Sequence, residues 1–144
     1  MPQVKKSALV PYSAEKMYQL VDDVPSYKEF LPWCGGSVEI SRDTEEVVAS
    51  ITISKGSINK TFTTKNTSID CSKINLELVD GPFKELVGHW SFRELKEDAC
   101  KVSLELDYEF SNRLLGIAVG PVFNQIANTM VDSFVDRAKQ VYGE

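Results

Sequence analysis

The sequence predicts an α+β fold: an antiparallel sheet of about seven strands curved around one long C-terminal helix, with two short helices near the N-terminus. Three observations predict it. Apolar residues alternate with a period of two through the middle of the chain, from Val38 to Phe110. After Asn112 the period changes to three and four and holds almost to the end. Turn-forming groups, Gly35-Gly36, Gly56-Ser57 and Asp80-Gly81-Pro82, punctuate the alternating part. Strands gathered in the middle with helices at both ends exclude alternating βαβ units, and residues 1–144 read as one domain.

Residues 3–10 form the first expected strand, ended by Pro11. Ser13 is a good N-cap for a short helix from Ala14 to about Val21, whose buried stripe is Met17, Leu20 and Val21, with Tyr12 stapled against Met17. Pro25 suits the first turn of a second short helix that points Tyr27, Phe30 and Leu31 inward and stops at Pro32. Val38 and Ile40 suggest the next strand, and Val47, Ala49, Ile51 and Ile53 alternate cleanly in the one after. Ile58 and Phe62 belong to a fourth strand, and Ile74, Leu76 and Leu78 to a fifth. Leu86, Gly88, Trp90 and Phe92 share one face of the sixth, with Val87, His89, Ser91 and Arg93 on the other. In the seventh, Val102, Leu104, Leu106, Tyr108 and Phe110 alternate with Ser103, Glu105, Asp107 and Glu109, the pattern of a strand with one wet face. The helical stripe is Leu115, Val119, Val122, Phe123, Ile126, Met130, Phe134, Ala138 and Val141, and Gly120-Pro121 within it predicts a kink or a break.

Composition bounds the function. With 16 basic and 21 acidic residues the net charge is −5, which argues against DNA and against indiscriminate binding to phosphate backbones. The balance is uneven, because Lys55, Lys60, Lys65 and Lys73 stand against one acid, Asp70, in that segment. The cluster is either a local RNA contact or a solvated hairpin surface. The first residues, MPQVKKSALV, lack the apolar run of a secretion signal, and no stretch is read as approaching the roughly 18 apolar residues of a spanning helix. A cytoplasmic protein without a transmembrane segment is expected. Cys34, Cys71 and Cys100 are scattered and odd in number, so they read as buried or half-buried free thiols in a reducing compartment. Three cysteines and one histidine are too few for a usual zinc shell, and no metal site is expected.

Catalytic signals are sparse. His89 shares its face with Ser91 and Arg93, opposite Trp90 and Phe92, and is expected towards solvent. Glu105, Asp107 and Glu109 line up on one strand face, where carboxylates share water instead of the divided environments that acid–base chemistry needs. The sequence contains no GxGxxG, no GxxxxGK(S/T) and no GxSxG. No catalytic residue and no required cofactor are assigned. The apolar set is richer: Trp90, Phe92, Leu104, Leu106 and Tyr108 share inward parity, facing Phe123, Ile126 and Met130 on the helix. Alternation is compatible both with plain core packing and with the wall of an apolar ligand cavity, and does not choose between them.

Five segments, in order, carry a resemblance to a known family: SALVPYSAEKMYQLVDDVPSYKEFLPWC near the start, KTFTT at Lys60–Thr64, LVDGPFKELVGHWSF at Leu78–Phe92, LDYEFSNRLL at Leu106–Leu115, and the MVDSFVDRAKQVYG ending. The chain resembles, end to end, the START-like coenzyme-Q-binding family within the polyketide cyclase/dehydrase and lipid transport group of helix-grip proteins. Within that group it looks most like the bacterial ribosome-associating branch. The resemblance implies a START-like helix-grip domain without catalytic residues, with an apolar pocket for ubiquinone or another isoprenoid lipid. It further implies the large ribosomal subunit as partner, with inhibition of subunit joining and translation. The mitochondrial relatives imply the alternative, a quinone or lipid carrier supporting respiration.

Overall fold

A computed structural model describes residues 3–143. In chain order the elements are β1 (Gln3–Val10), α1 (Ala14–Asp22), a 3-10 helix (Val24–Glu29), β2 (Cys34–Arg42), β3 (Glu46–Lys55), β4 (Ile58–Ile69), β5 (Lys73–Asp80), β6 (Phe83–Lys96), β7 (Ala99–Phe110) and α2 (Arg113–Tyr142). All seven strands pair antiparallel in the order β1-β7-β6-β5-β4-β3-β2. The sheet therefore has edges at β1 and β2, and α1 with the 3-10 helix forms the connection between those edges.

Local chemistry sets the helix ends. The Ser13 hydroxyl accepts from the Lys16 N–H at 3.2 Å and caps α1. The Asn112 side chain accepts from the Leu115 N–H at 2.9 Å and caps α2. Pro25 opens a 3-10 turn, with Tyr27 and Leu31 buried and Phe30 half-buried. The Tyr27 hydroxyl donates to the Val21 carbonyl, and burial, with Asp22 and Asp23 adding, pushes its pKa well above the ordinary tyrosine range.

Two expectations change at the edges of the fold. Val38 and Ile40 do mark a strand, but both lie on its outer face, 58% and 59% exposed, and the buried side chain of β2 is Ser37. Ser37 fits inside because its hydroxyl donates to the Pro25 carbonyl (3.2 Å) and accepts from the Lys28 N–H (3.3 Å), tying the 3-10 helix over that edge. α2 is helical without a break through Gly120 and Pro121. Pro121 is exposed, and the carbonyl its missing N–H leaves free belongs to Ile117, 66% exposed, so the loss falls on the solvent side.

α2 buries Val119, Phe123, Ile126, Ala127, Val131, Phe134 and Ala138. Met130 is half-buried, and Val141, expected in the stripe, is 49% exposed. By length and composition α2 is apolar enough to cross a membrane, contrary to the expectation of no such stretch; in the fold it is the helix that fills the sheet. Gly88, on the inward face of β6, sits opposite Leu106 and Leu76, and its bare Cα makes room for the Leu106 side chain.

The thiols divide three ways. Cys100 is buried, and burial with the Glu94 charge raises its pKa to about 11; Cys34 is half-buried and also raised by burial. Cys71 is exposed, unlike the expectation, because it occupies the β4–β5 turn. That turn holds Asp70 and Cys71 at φ 49° and 55°, closed by the Ser72 N–H on the Ile69 carbonyl at 2.9 Å. Two left-handed central residues are the pattern that Asn-Gly fills without strain. Cys71→Gly is expected to raise stability by about 1 kcal/mol in urea unfolding.

Candidate ligand cavity and basic surface

Two aromatic groups brace the sheet against α2. At one end Phe83, Tyr108 and Phe110 gather around Phe123, with Tyr108 and Phe123 ring centres 4.7 Å apart. At the other, Phe134 meets Tyr27, Phe30 and Trp90 edge-on at 5.2, 5.2 and 5.3 Å. Between them lies a space of about 80 Å³. Its walls are Ile51 and Ile53 of β3, Phe62, Thr64 and Asn66 of β4, Leu76 of β5, Leu86 and Trp90 of β6, and Leu104 and Leu106 of β7. α2 closes it with Phe123, Ile126, Ala127 and Met130, and Val24, Tyr27 and Trp33 complete the far end.

Of the residues expected around a ligand, Trp90, Leu104, Leu106, Phe123, Ile126 and Met130 line this space. Phe92 and Tyr108 do not. Phe92 lies further along β6, stacked with Trp90 and edge-on to Tyr18 of α1 at 6.0 Å. Tyr108 sits beneath Phe123, its hydroxyl 3.4 Å from the Asn124 side-chain oxygen. Parity names the face of a strand but not the position along it, so residues beyond either end of a cavity share its parity.

The β3, β4 and β5 wall was not assigned to the site from sequence, although its signal was present. Inward parity along β4 runs Phe62, Thr64, Asn66, and polar residues facing a core mid-strand mark a place where the core is interrupted. The Thr64 hydroxyl donates to Asn66 Oδ1 at 2.7 Å, which leaves the Asn66 amide nitrogen as a donor on the wall. The space is also small for the ubiquinone or other isoprenoid lipid that the resemblance implies. Benzene occupies an engineered cavity of about 150 Å³, so a ring-sized ligand enters here only by displacing side chains. Met130, half-buried and flexible, and Trp33, at the far end, are the ones placed to move.

The four lysines do not form one patch. β3 points its odd-numbered residues inward, β4 and β5 their even-numbered ones. Lys65 and Lys73 accordingly lie on the outer face, with Glu77 directly across from Lys65. Lys60 has inward parity, and Lys55, at the β3–β4 hairpin, reaches over to α2, where its ammonium donates to Gln125 Oε1 at 3.2 Å. The outer face of β3 and β4 is rich in hydroxyls, with cross-strand pairs Ser50–Thr63 at 2.6 Å and Thr52–Thr61 at 2.8 Å. Acids dominate the outer face of β7. There His89 Nε2 lies 3.5 Å and Lys5 Nζ 3.8 Å from Glu105, and Lys84 lies 3.4 Å from Glu109. His89 is thus on the outer face, as its parity indicates, and apart from the cavity. Among the described residues no group of three His, Cys, Asp or Glu side chains is arranged to hold a metal ion.

Residues 10–135 match the family described as polyketide cyclase / dehydrase and lipid transport. The chain belongs to that family. The ribosome association toxin RatA of Vibrio cholerae serotype O1 is 51% identical over 144 residues, covering 100% of both chains. The mitochondrial coenzyme Q-binding protein coq10 of Schizosaccharomyces pombe is 29% identical over 143 residues, covering 94% of this chain and 85% of that one. The solved structure of a START superfamily protein from Mycobacterium smegmatis superposes with a TM-score of 0.80 at 19% identity, covering 96% of this chain and 98% of that one. This polyketide cyclase family member is therefore a START-like, helix-grip domain with relatives named as a ribosome association toxin and as a coenzyme Q-binding protein.

Proposed function

We propose that this protein associates with the ribosome in the cytoplasm, binding the large subunit and hindering subunit joining and so translation, without catalysing a reaction. The observation that carries the reading is the 51% identity, over the whole of both chains, to a protein named ribosome association toxin. The non-catalytic part is supported by the cavity wall, whose polar groups among the described residues are a threonine, an asparagine, indoles and the Tyr27 phenol, without a carboxylate or imidazole. For the contact, the outer face of β3–β5 is the favoured side: Lys65 and Lys73 stand there among hydroxyls, with Glu77 across from Lys65, whereas β7 would set three acids, Glu105, Asp107 and Glu109, against phosphate.

The test is a sucrose gradient of cells overproducing the protein. Free subunits should rise relative to joined ribosomes, with the protein in the large-subunit fractions. The Lys65→Glu/Lys73→Glu double variant should move to the top of the gradient, while Glu105→Lys/Glu109→Lys should not. An unchanged subunit ratio with the wild-type protein at the top defeats the reading.

The second reading is a quinone or lipid carrier supporting respiration, with ubiquinone or another isoprenoid lipid in the cavity. It is favoured by the apolar space under α2 and by the coenzyme Q-binding relative. The two are compatible in one molecule, because the cavity opens on the concave side and Lys65 and Lys73 lie on the convex one.

A further inference from the structure

Beside the inner cavity lies a second space, an open cleft of about 280 Å³ lined by Pro32, Trp33, Lys55, Gln125, Ile126 and Thr129. The two spaces share Trp33 and Ile126, which form the partition between them. Their chemistry differs. The inner wall is almost wholly aliphatic and aromatic, and the outer wall carries an amide, a hydroxyl and one ammonium. The ammonium is Lys55, whose hydrogen-bond partner is the neutral Gln125 side chain, so its charge is solvated but not cancelled. Among the described residues no carboxylate lines the cleft. The Trp33 main chain is anchored, since its carbonyl accepts from the Ser54 N–H at 2.7 Å, which leaves the indole as the part able to swing. A turn of the indole away from Ile126 would join the two spaces into one passage.

From this geometry we infer that the cleft is a head-group subsite, and that the ligand is a small amphiphile with an anionic head held by Lys55 and a flat or aliphatic body lodged past Trp33 under α2. The inference rests on the cavity reading above and, within it, favours an anionic lipid over neutral ubiquinone. Lys55 exchanges Gln125 for the anion, and the cavity, too small for a ring by itself, receives the body once the partition opens. The Lys55 ammonium is thus assigned to the concave side of the molecule and not to an RNA-facing surface.

A matched pair of fluorescent probes tests this. 8-Anilinonaphthalene-1-sulfonate and N-phenyl-1-naphthylamine share the same ring system, and only the first carries an anion. The wild-type protein should bind both and prefer the sulfonate. Lys55→Gln should weaken the sulfonate about tenfold, the effect of one partly solvated charge pair, and leave the neutral probe within about twofold. Thr129→Glu, which sets an acid on an exposed wall of the same cleft, should do the same. The sulfonate preference should also shrink as salt rises from about 50 mM towards about 500 mM. Equal loss of both probes in Lys55→Gln, or no loss of either, overturns the head-group assignment while leaving the cavity reading in place. Failure of both probes to bind the wild-type protein overturns the cavity reading and the inference with it.

Discussion

Replacing Phe134 with Ala is expected to cost about 3–5 kcal/mol of folding stability. Phe134 is fully buried, and its ring touches Tyr27 and Phe30 at 5.2 Å and Trp90 at 5.3 Å, all edge-on. Those contacts join α2 to the 3-10 helix and to β6, so one side chain ties three elements together. The truncation removes the transfer free energy of the ring and the edge-to-face terms, and the void left cannot collapse easily because three rigid aromatics frame it. With a total stability on the order of 5–15 kcal/mol for a domain of this kind, the loss is a large share. Urea unfolding should show a lower midpoint at nearly unchanged slope. A loss below about 1 kcal/mol would mean that α2 is not clamped at this point.

Gly88→Ala should be at least as damaging, and the variant is expected to lose more than about 3 kcal/mol or to fail to accumulate as folded protein. A Cβ at position 88 would stand 2.2 Å from the Glu105 carbonyl oxygen, 2.7 Å from Leu106 Cδ2 and 3.0 Å from the Leu106 Cα. Two of those atoms are backbone of the neighbouring strand, so relief requires β6 and β7 to part. Gly116→Ala is the control. The nearest atoms to its added Cβ are 3.9 Å and 4.0 Å away on Phe110, and α2 should gain about 1 kcal/mol from the better helix former. Thermal unfolding of the two variants side by side should move in opposite directions. A Gly88→Ala protein with wild-type stability would contradict the described β6–β7 pairing.

The elements were legible where one physical signal dominated. β7 has one wet face and one buried face, and its alternation from Val102 to Phe110 appears in the structure residue for residue, with Phe110 the partly covered end. α2 was legible because its stripe must meet a sheet, although Val131 replaces Met130 in the fully buried set. β2 was harder, since an edge strand with register shifts at Cys34/Gly36 and Glu39/Ser41 does not keep one parity, and Ser37 satisfies its hydroxyl locally. Pro121 was tolerated because its exposed position removes the penalty that made a break the natural expectation.

The site was only half legible for reasons of the same kind. Inward parity selected Trp90, Leu104 and Leu106 correctly, but it also selected Phe92 and Tyr108, which pack beyond the two ends of the space. Cavity volume depends on how side chains interdigitate, and no periodicity encodes that. The lysines show the complementary failure. Lys55, Lys60, Lys65 and Lys73 are close in sequence, yet crossing the β3–β4 hairpin reverses which parity faces inward, so Lys55 and Lys65 end on opposite sides of the sheet.

Ribosome association through the outer face of β3–β5 can be read from co-sedimentation of the purified protein with purified large subunits over a salt series. The protein should pellet with the large subunit, with affinity falling as salt rises. Lys65→Glu/Lys73→Glu should flatten that dependence by about two counterions, the number expected for two lost phosphate contacts. Lys55→Glu, on the concave side, should leave the slope as it is. A protein that stays in the supernatant at about 50 mM salt, or a double variant that pellets with an unchanged salt slope, would rule out this contact.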